Sequence, residues 1–293
     1  MNHSSWIPFS VLVVCFWGIW AAYSAYPAVQ YGMPDEMIYI VWSVSMIIPT
    51  IMALKKDKFD FSLKALKYGL ISGLTATGGQ LLLFKALTMG PAYIVFPITS
   101  LQPAITVLLA VIFLKEKLSK LAVVGLILAL LSVLFTSISE TGEMIFGTYL
   151  ILAVIIAVGW GVQAYYLRKA SLDGINETTQ VCYLTISGFI LIPAAFCMMG
   201  SVPDLPAQSY GIAFGTQLLN AIGALFYILS LKRGKASIVS PVCNSLAPVA
   251  TIAICVFIFS QMPNSIQFVG LVFAIIGSAI LAYTESKSEE SNS

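Results

Sequence analysis

Ten apolar stretches follow one another along this chain of 293 residues, each close to the length of about 20 residues that a helix needs to cross a bilayer. Short polar or Gly/Pro-marked connections separate them. We number the stretches as spans 1 to 10, covering residues 7–29, 36–54, 66–87, 92–114, 121–139, 146–167, 177–199, 208–231, 236–260 and 265–283. This succession predicts an all-α integral membrane protein with ten transmembrane helices.

The composition excludes most other classes. Hydrophobic residues make up 59% of the chain and charged residues only 10%, with a mean hydropathy of +0.92, whereas soluble domains carry about 25% charged residues. The net charge of +2 gives little attraction for nucleic acid. The five cysteines all fall inside apolar stretches without ligand spacing. We therefore expect no cofactor, no metal and no nucleic-acid partner, and a lipid bilayer around the chain.

The basic residues indicate how the spans are oriented. Five lysines fall between Lys55 and Lys67, which places that connection in the cytoplasm by the positive-inside rule. Alternating the following connections then puts fourteen of the fifteen Lys and Arg residues inside and leaves only Lys85 toward the outside. This distribution predicts that both termini lie in the cytoplasm and that the chain resides in the cytoplasmic (inner) membrane.

The two halves of the chain repeat one another. Trp17-Gly18 recurs 143 residues later as Trp160-Gly161, and Ser100-Leu101 recurs 145 residues later as Ser245-Leu246. We predict two five-helix units, residues 1–145 and 146–293. Because five is an odd number, the second unit enters the membrane from the opposite side. Inverted repeats of this kind are typical of transporters that open a central site to each side in turn, although duplication also builds plain helical scaffolds.

The stretch FKALTMGPA from Phe84 to Ala92, continuing through Pro97, Leu101 and Pro103 to LLAVIFLKEKL from Leu108 to Leu118, resembles the drug/metabolite transporter superfamily, EamA type. This resemblance covers essentially the whole chain. It implies ten helices in inverted repeats around a central cavity, lined by spans 1–4 and 6–9, with spans 5 and 10 at the periphery. One departure is that Ser260-Gln261 stands in the second copy where the first has Lys115-Glu116.

Prolines lie within spans 4 and 9 of the two copies, at Pro97, Pro103, Pro241 and Pro248. Each lacks a backbone donor and frees a carbonyl one turn earlier. The freed carbonyls either bond neighbouring side chains or line a wet cavity and hinge a gate. We interpret the four prolines as candidate gating residues.

Polar and aromatic side chains at membrane depth are candidate ligands for a solute, because unpaired polar groups are costly there. Their alternative role is to hold helices together. We select the amides near mid-span and the two repeat-equivalent indoles as the predicted substrate site: Trp17, Gln80, Gln102, Trp160, Gln163 and Asn244. Two glycine pairs, Gly69/Gly73 and Gly211/Gly215, are interpreted as close helix contacts.

Charged residues add two expectations. Every Asp and Glu maps to a connection, a helix end or a tail, so no carboxylate is available at mid-membrane for proton coupling. Lys85 either snorkels outward or guards an outer vestibule.

Together these features predict a secondary transporter, not an enzyme, that moves a small neutral or zwitterionic solute, amino-acid-like or nucleoside-like, by alternating access. A quaternary-amine or drug carrier with an aromatic cage is one alternative. A membrane scaffold or receptor is another. Substrate identity, transport direction, coupling ion and oligomeric state stay open.

Overall fold

The computed structural model describes residues 6–24, 26–89, 95, 98–99, 101–136, 147–259 and 264–290. The described part is α-helical, as predicted, and its regular helices are α1 Ile7–Tyr23, α2 Tyr26–Tyr31, α3 Asp35–Ser45, α4 Ile47–Leu54, α5 Leu63–Met89, α6 Gln102–Phe113, α7 Lys120–Thr136, α8 Thr148–Leu172, α9 Glu177–Ile190, α10 Ile192–Met199, α11 Ala207–Arg233, α12 Ala236–Phe259 and α13 Ser265–Glu290. Nine of the predicted spans overlap one helix or two consecutive ones, whereas in span 4 helix α6 covers only Gln102–Phe113 and residues 92–94, 96–97 and 100 lie outside the described part.

Six of these helical segments are long and apolar enough to cross a membrane, and α6, α7 and α13 contain shorter apolar helices. Their apolar side chains also cover the outside of the molecule. Leu108, Ile112 and Phe257 are exposed, Phe257 to 86%, whereas Ser and Thr side chains such as Thr106 and Ser240 are buried. An apolar exterior around a partly polar interior is suited to lipid.

Spans 2 and 7 are each divided into two helices at equivalent positions. Helix α3 ends at Ser45 and α9 at Ile190, and each is followed after one residue by the next helix of its span. Pro49 and Pro193, 144 residues apart, lie just beyond these breaks and lack the N–H groups that would bond the carbonyls of Ser45 and Phe189. The break is thus a property of both halves.

Helix packing follows the repeat as well. Helix α1 of the first half packs on α11 and α12 of the second, and α8, its counterpart, packs on α5 and α6 of the first. Each half therefore places its first helix against the other half. Helices α7 and α13 pack on each other, with Gly125 and Gly277 at their contact.

The two glycine pairs differ in environment. A side chain at Gly69 or Gly73 would overlap Tyr183 or Ser187 of α9, so this pair does form a close helix contact. Within the described part of the chain, an added Cβ at Gly211 or Gly215 would meet no atom of a neighbouring helix within 4 Å, and for this pair the prediction was wrong. Contacts of α5 and α11 correspond at an offset of 144, as in Ala76 and Asn220 or Gly79 and Gly223. The two glycine pairs are 142 residues apart, and two residues rotate a helix position by about 200°.

Candidate functional site

The centre of the molecule is built from matching contacts between the halves. Thr106 Oγ1 lies 3.4 Å from Gly161 O, and Thr251 Oγ1, 145 residues later, lies 3.2 Å from Gly18 O. Each hydroxyl shares its proton between this carbonyl and the carbonyl one turn earlier in its own helix, at 3.2 and 3.0 Å. Added side chains at Gly18 and Gly161 would overlap Ala250 and Ile105. Helices α6 and α12 thus contact α8 and α1 through the same small-residue geometry.

The two predicted tryptophans occupy equivalent places. Trp17 Nε1 donates to Asn220 O of α11 at 3.4 Å, and Trp160 Nε1 donates to Ala76 O of α5 at 3.1 Å. Each indole lies over a glycine, Gly223 and Gly79 respectively, where a Cβ would collide with the ring. Both side chains are partly buried and bridge opposite halves.

Gln102 and Asn244 contact each other directly. Gln102 Nε2 donates to Asn244 Oδ1 at 2.6 Å, and Asn244 Nδ2 donates to Ser240 O at 2.8 Å. Ser240 Oγ lies 3.4 Å from Thr106 Oγ1, so α6 and α12 meet through polar groups. We call Gln102 and Asn244 the inter-half amide pair.

Gln80 and Gln163 are half-buried and have no hydrogen-bond partner among the described residues. Gln80 lies seven residues, two helical turns, beyond Gly73 and therefore on the inward face of α5. Gln163 is the repeat equivalent of Trp20, which donates to Gln217. The repeat equivalent of Gln217 is Gly73, which has no side chain that Gln163 could bond. Their amide groups are thus available to a further group, although the six predicted residues do not all contact one another.

A polar cluster that the prediction did not select lies beside Trp17. Trp42 Nε1 donates to Asn220 Oδ1 at 2.9 Å, and Trp20 Nε1 donates to Gln217 Oε1 at 3.1 Å. The Trp17 ring lies 5.2 Å from that of Tyr227. We call Trp17, Trp20, Trp42, Gln217 and Asn220 the indole–amide cluster. The sequence signal for it is an amide at position 220 where the first repeat has Ala76.

The candidate gating prolines differ between the halves. Pro103 is in the first turn of α6, where a missing N–H leaves no hydrogen bond unmade, and the helix begins only at Gln102. Pro241 and Pro248 lie inside α12. Pro97 is outside the described residues. The first copy is therefore interrupted before Pro103, whereas the second is a continuous helix with two prolines.

Four connections meet at one end of the molecule, which we call the basic end: residues 55–62, 114–119, 173–176 and 234–235. Asp60 N bonds Thr179 Oγ1 at 2.8 Å, and Arg168 Nη1 donates to Leu231 O at 2.9 Å. The ion pairs Lys64–Asp173, Lys169–Asp173, Arg168–Glu116 and Lys232–Glu177 all lie here. Lys85 is exposed near the opposite end of α5. The basic clusters thus share one end, as the orientation argument requires.

Two acidic residues organise the basic end. Glu116, whose side chain is 7% exposed, accepts hydrogen bonds from the backbone N–H groups of Ala236 and Ser237 and caps the start of α12. Tyr68 donates to Asp173 Oδ2 at 2.7 Å, and this hydrogen bond, together with Lys169 and Lys64, lowers the pKa of Asp173 below its ordinary value. This end is closed by contacts between the halves.

The fold and the arrangement of polar groups define a multi-pass helical membrane protein built from a duplicated unit. The EamA-like transporter family matches the chain twice, over residues 4–138 and 147–283. The chain belongs to this family, which confirms the resemblance seen in the sequence.

The chain is also similar to several other proteins in sequence and to a solved structure in fold. The chain is 25% identical to Protein LicB of Haemophilus influenzae, over 75% of the chain and 77% of that protein. It is also 25% identical to an uncharacterised transporter of Bacillus subtilis, over 64% of the chain and 60% of that protein, and 39% identical to an uncharacterised protein of Methanocaldococcus jannaschii over 34% and 74%. A protein crystal structure superimposes with a TM-score of 0.79 over 96% of the chain and 99% of its own, at 15% identity, a likeness of fold alone.

Proposed function

We propose that this protein is a secondary transporter that moves a small neutral or zwitterionic solute, amino-acid-like or nucleoside-like, across the cytoplasmic membrane by alternating access. In this proposal ten helices cross the bilayer in two inverted five-helix units, residues 1–145 and 146–293. Both termini lie in the cytoplasm, at the basic end. The solute binds between the units, at Trp17, Gln80, Gln102, Trp160, Gln163 and Asn244, and no cofactor takes part.

The observation that carries the proposal is the pair of equivalent hydrogen bonds from Thr106 to Gly161 O and from Thr251 to Gly18 O. Two similar half-structures that pack through matching contacts can exchange conformations, so that each opens the site from its own side. The half-buried amides of Gln80 and Gln163, which bond no described residue, supply hydrogen-bonding groups for a solute.

A quaternary amine or a cationic drug is a second candidate substrate. Three indoles of α1 and α3, at Trp17, Trp20 and Trp42, converge on α11, and aromatic faces bind such cations without a buried acid. This candidate uses the same transport mechanism.

Uptake into sealed proteoliposomes tests the transport function. A thermal-shift screen of the purified protein against a metabolite library first selects compounds that raise the melting temperature, since ligands of the folded state stabilise it. Radiolabelled forms of these compounds are then offered to liposomes containing only this protein and to protein-free liposomes. Accumulation that scales with the internal volume supports a carrier. Binding without uptake would instead indicate a receptor or scaffold and contradict the proposal.

A further inference from the structure

In the indole–amide cluster, the indole N–H groups determine which way the side-chain amides of Gln217 and Asn220 are turned. An indole N–H can only donate, so the atom of Asn220 that Trp42 meets is the amide oxygen, and the same holds for Gln217 and Trp20. With both oxygens occupied, each amide must direct its NH₂ group elsewhere. Two NH₂ groups therefore remain on α11, and neither has a partner among the described residues.

These donors lie close together in the interior of the molecule. Gln217 is only 3% exposed, and both residues are near the middle of α11, which runs from Ala207 to Arg233. Positions three apart on a helix lie on one face with their Cβ atoms about 5–6 Å apart. One oxygen-bearing group can thus receive hydrogen bonds from both amides.

The inter-half amide pair leaves a hydrogen-bond acceptor, whereas the indole–amide cluster leaves donors. Asn244 Nδ2 donates to Ser240 O, so its oxygen faces Gln102, which must present its NH₂ group. Gln102 Oε1 is left as an acceptor with no partner among the described residues. Donors on α11 and an acceptor on α6 suit a solute that carries both kinds of group.

The donors belong to the second half alone. The residues equivalent to Asn220 and Gln217 at the offset of 144 are Ala76 and Gly73, which have no polar side chain. The space beside Gly73, where a side chain would lie, is occupied by Tyr183 and Ser187. The two halves share the indole-to-carbonyl contact, whereas the positions of α5 that correspond to these amides carry no amide group.

We propose that Gln217 and Asn220 bind a carboxylate or carbonyl oxygen of the transported solute, and that this contact selects solutes bearing such a group over acceptor-free cations. This inference rests on the proposed function. A carboxylate is the best occupant, because hydrogen bonds to a charged acceptor are about twice as strong as those to a neutral one. Helix α11 itself carries no acidic residue that would compete with a carboxylate for these amides.

Isosteric acid variants test this proposal without removing the indole contacts. Asn220→Asp and Gln217→Glu keep an oxygen for Trp42 and Trp20 and replace the NH₂ donor by a second oxygen. The matched control is Gln208→Glu, an exposed position in the first turn of the same helix. Retained melting temperature without ligand verifies that each variant is folded.

The probes are the twenty amino acids, glycine betaine and a set of nucleosides, each compared by thermal shift with two quaternary ammonium ions that lack a carbonyl or carboxylate group, choline and tetramethylammonium. We expect the wild type to be stabilised by compounds that bear a carbonyl or carboxylate, with glycine betaine preferred over choline. Asn220→Asp and Gln217→Glu should bind the stabilising compound at least about tenfold more weakly, the loss expected for a charge-assisted hydrogen bond. Gln208→Glu should bind it like the wild type.

Three results would overturn the proposal: stabilisation by choline and tetramethylammonium alone, no stabilisation by any probe that bears a carbonyl or carboxylate, or affinity unchanged in both acid variants. Failure of the transport function is a separate result. A compound that binds through Asn220 and Gln217 but is not taken up by proteoliposomes would leave this site in place and refute transport.

Discussion

At the scale of single residues, the predicted site divides into side chains that hold helices together and side chains that are free to bind. Trp17 and Trp160 bond backbone carbonyls of the opposite half, and Gln102 bonds Asn244. Gln80 and Gln163 bond no described group. A substitution at Gln163 therefore tests binding with little structural cost, whereas one at Trp17 tests both.

We expect Gln163→Ala to weaken binding of the solute by about 1–3 kcal/mol, the range for a buried hydrogen bond left unmade, without lowering the melting temperature. Trp17→Ala should weaken binding and also lower the melting temperature, because the indole fills the space over Gly223. Isothermal titration and thermal unfolding measure the two effects. Gln30→Ala, at an exposed position of α2, is the control. Affinity unchanged in both site variants would place the cavity elsewhere.

Residue-level reasoning from the sequence recognised polar groups at depth but could not pair them. Gln102 and Asn244 are 142 residues apart and Trp42 and Asn220 are 178 apart. Such contacts depend on how α3, α6, α11 and α12 pack, which hydropathy does not encode. The indole–amide cluster was missed for this reason.

At the scale of elements, α12 begins at an acidic cap supplied by the other half. Glu116 accepts from Ala236 N and Ser237 N at 3.1 and 3.0 Å, and Arg168 Nε lies 3.7 Å from its carboxylate. The second copy has Gln261 in the corresponding place, outside the described residues. The charged cap is therefore an asymmetric feature that favours closure at the basic end.

Glu116→Gln should lower the stability of the purified protein by about 1–2 kcal/mol, because the amide keeps one acceptor but loses the charge that favours a helix N-terminus. Thermal unfolding in detergent measures the change. Asp204→Asn, an exposed acid in the connection before α11, should have no comparable effect. Equal melting temperatures for the wild type and both variants would show that the cap contributes nothing to closure.

The prolines of spans 4 and 9 are the second test at this scale. Pro248→Ala restores an N–H opposite the carbonyl of Asn244 inside α12, and we expect it to slow turnover more than it weakens equilibrium binding. Pro103→Ala should act in the same direction, through the break before α6. Proteoliposome uptake and binding of the same solute give the two quantities. If both variants transport at the wild-type rate, the prolines only shape the packing.

Hydropathy located the helices well but not their interruptions. The predicted span 8, residues 208–231, corresponds to α11, Ala207–Arg233, and span 9 to α12. The breaks at Met46 and Leu191 were not predicted because an average of hydropathy over a window does not register a missing backbone N–H. The prolines that lack this N–H, Pro49 and Pro193, are themselves visible in the sequence. The glycine pair of α11 was misassigned because an offset of 142 was taken as equivalent to 144.

At the scale of the whole molecule, the distribution of charge and the fold support each other. The connections that carry most Lys and Arg residues meet at the basic end, and Lys85 lies near the opposite end of α5. Contacts establish which loops share an end, whereas the side of the membrane follows from the positive-inside rule. The orientation is therefore open to direct measurement.

Single cysteines introduced into a variant without the native cysteines test this topology with an impermeant thiol reagent in intact cells. A cysteine at Ser62, which lies at the basic end where its backbone N–H bonds Asp60, should be shielded because the cytoplasm encloses that end. Positions 141 and 291 lie outside the described residues. A cysteine at Thr141, between the two units, should react, and one at Ser291 should be shielded. Permeabilised cells should label at all three, which shows that shielding comes from the membrane and not from packing. Two five-helix units cross the membrane ten times, so both termini must lie on the same side. External labelling at Ser291 would require one span more or fewer and would contradict two inverted five-helix units.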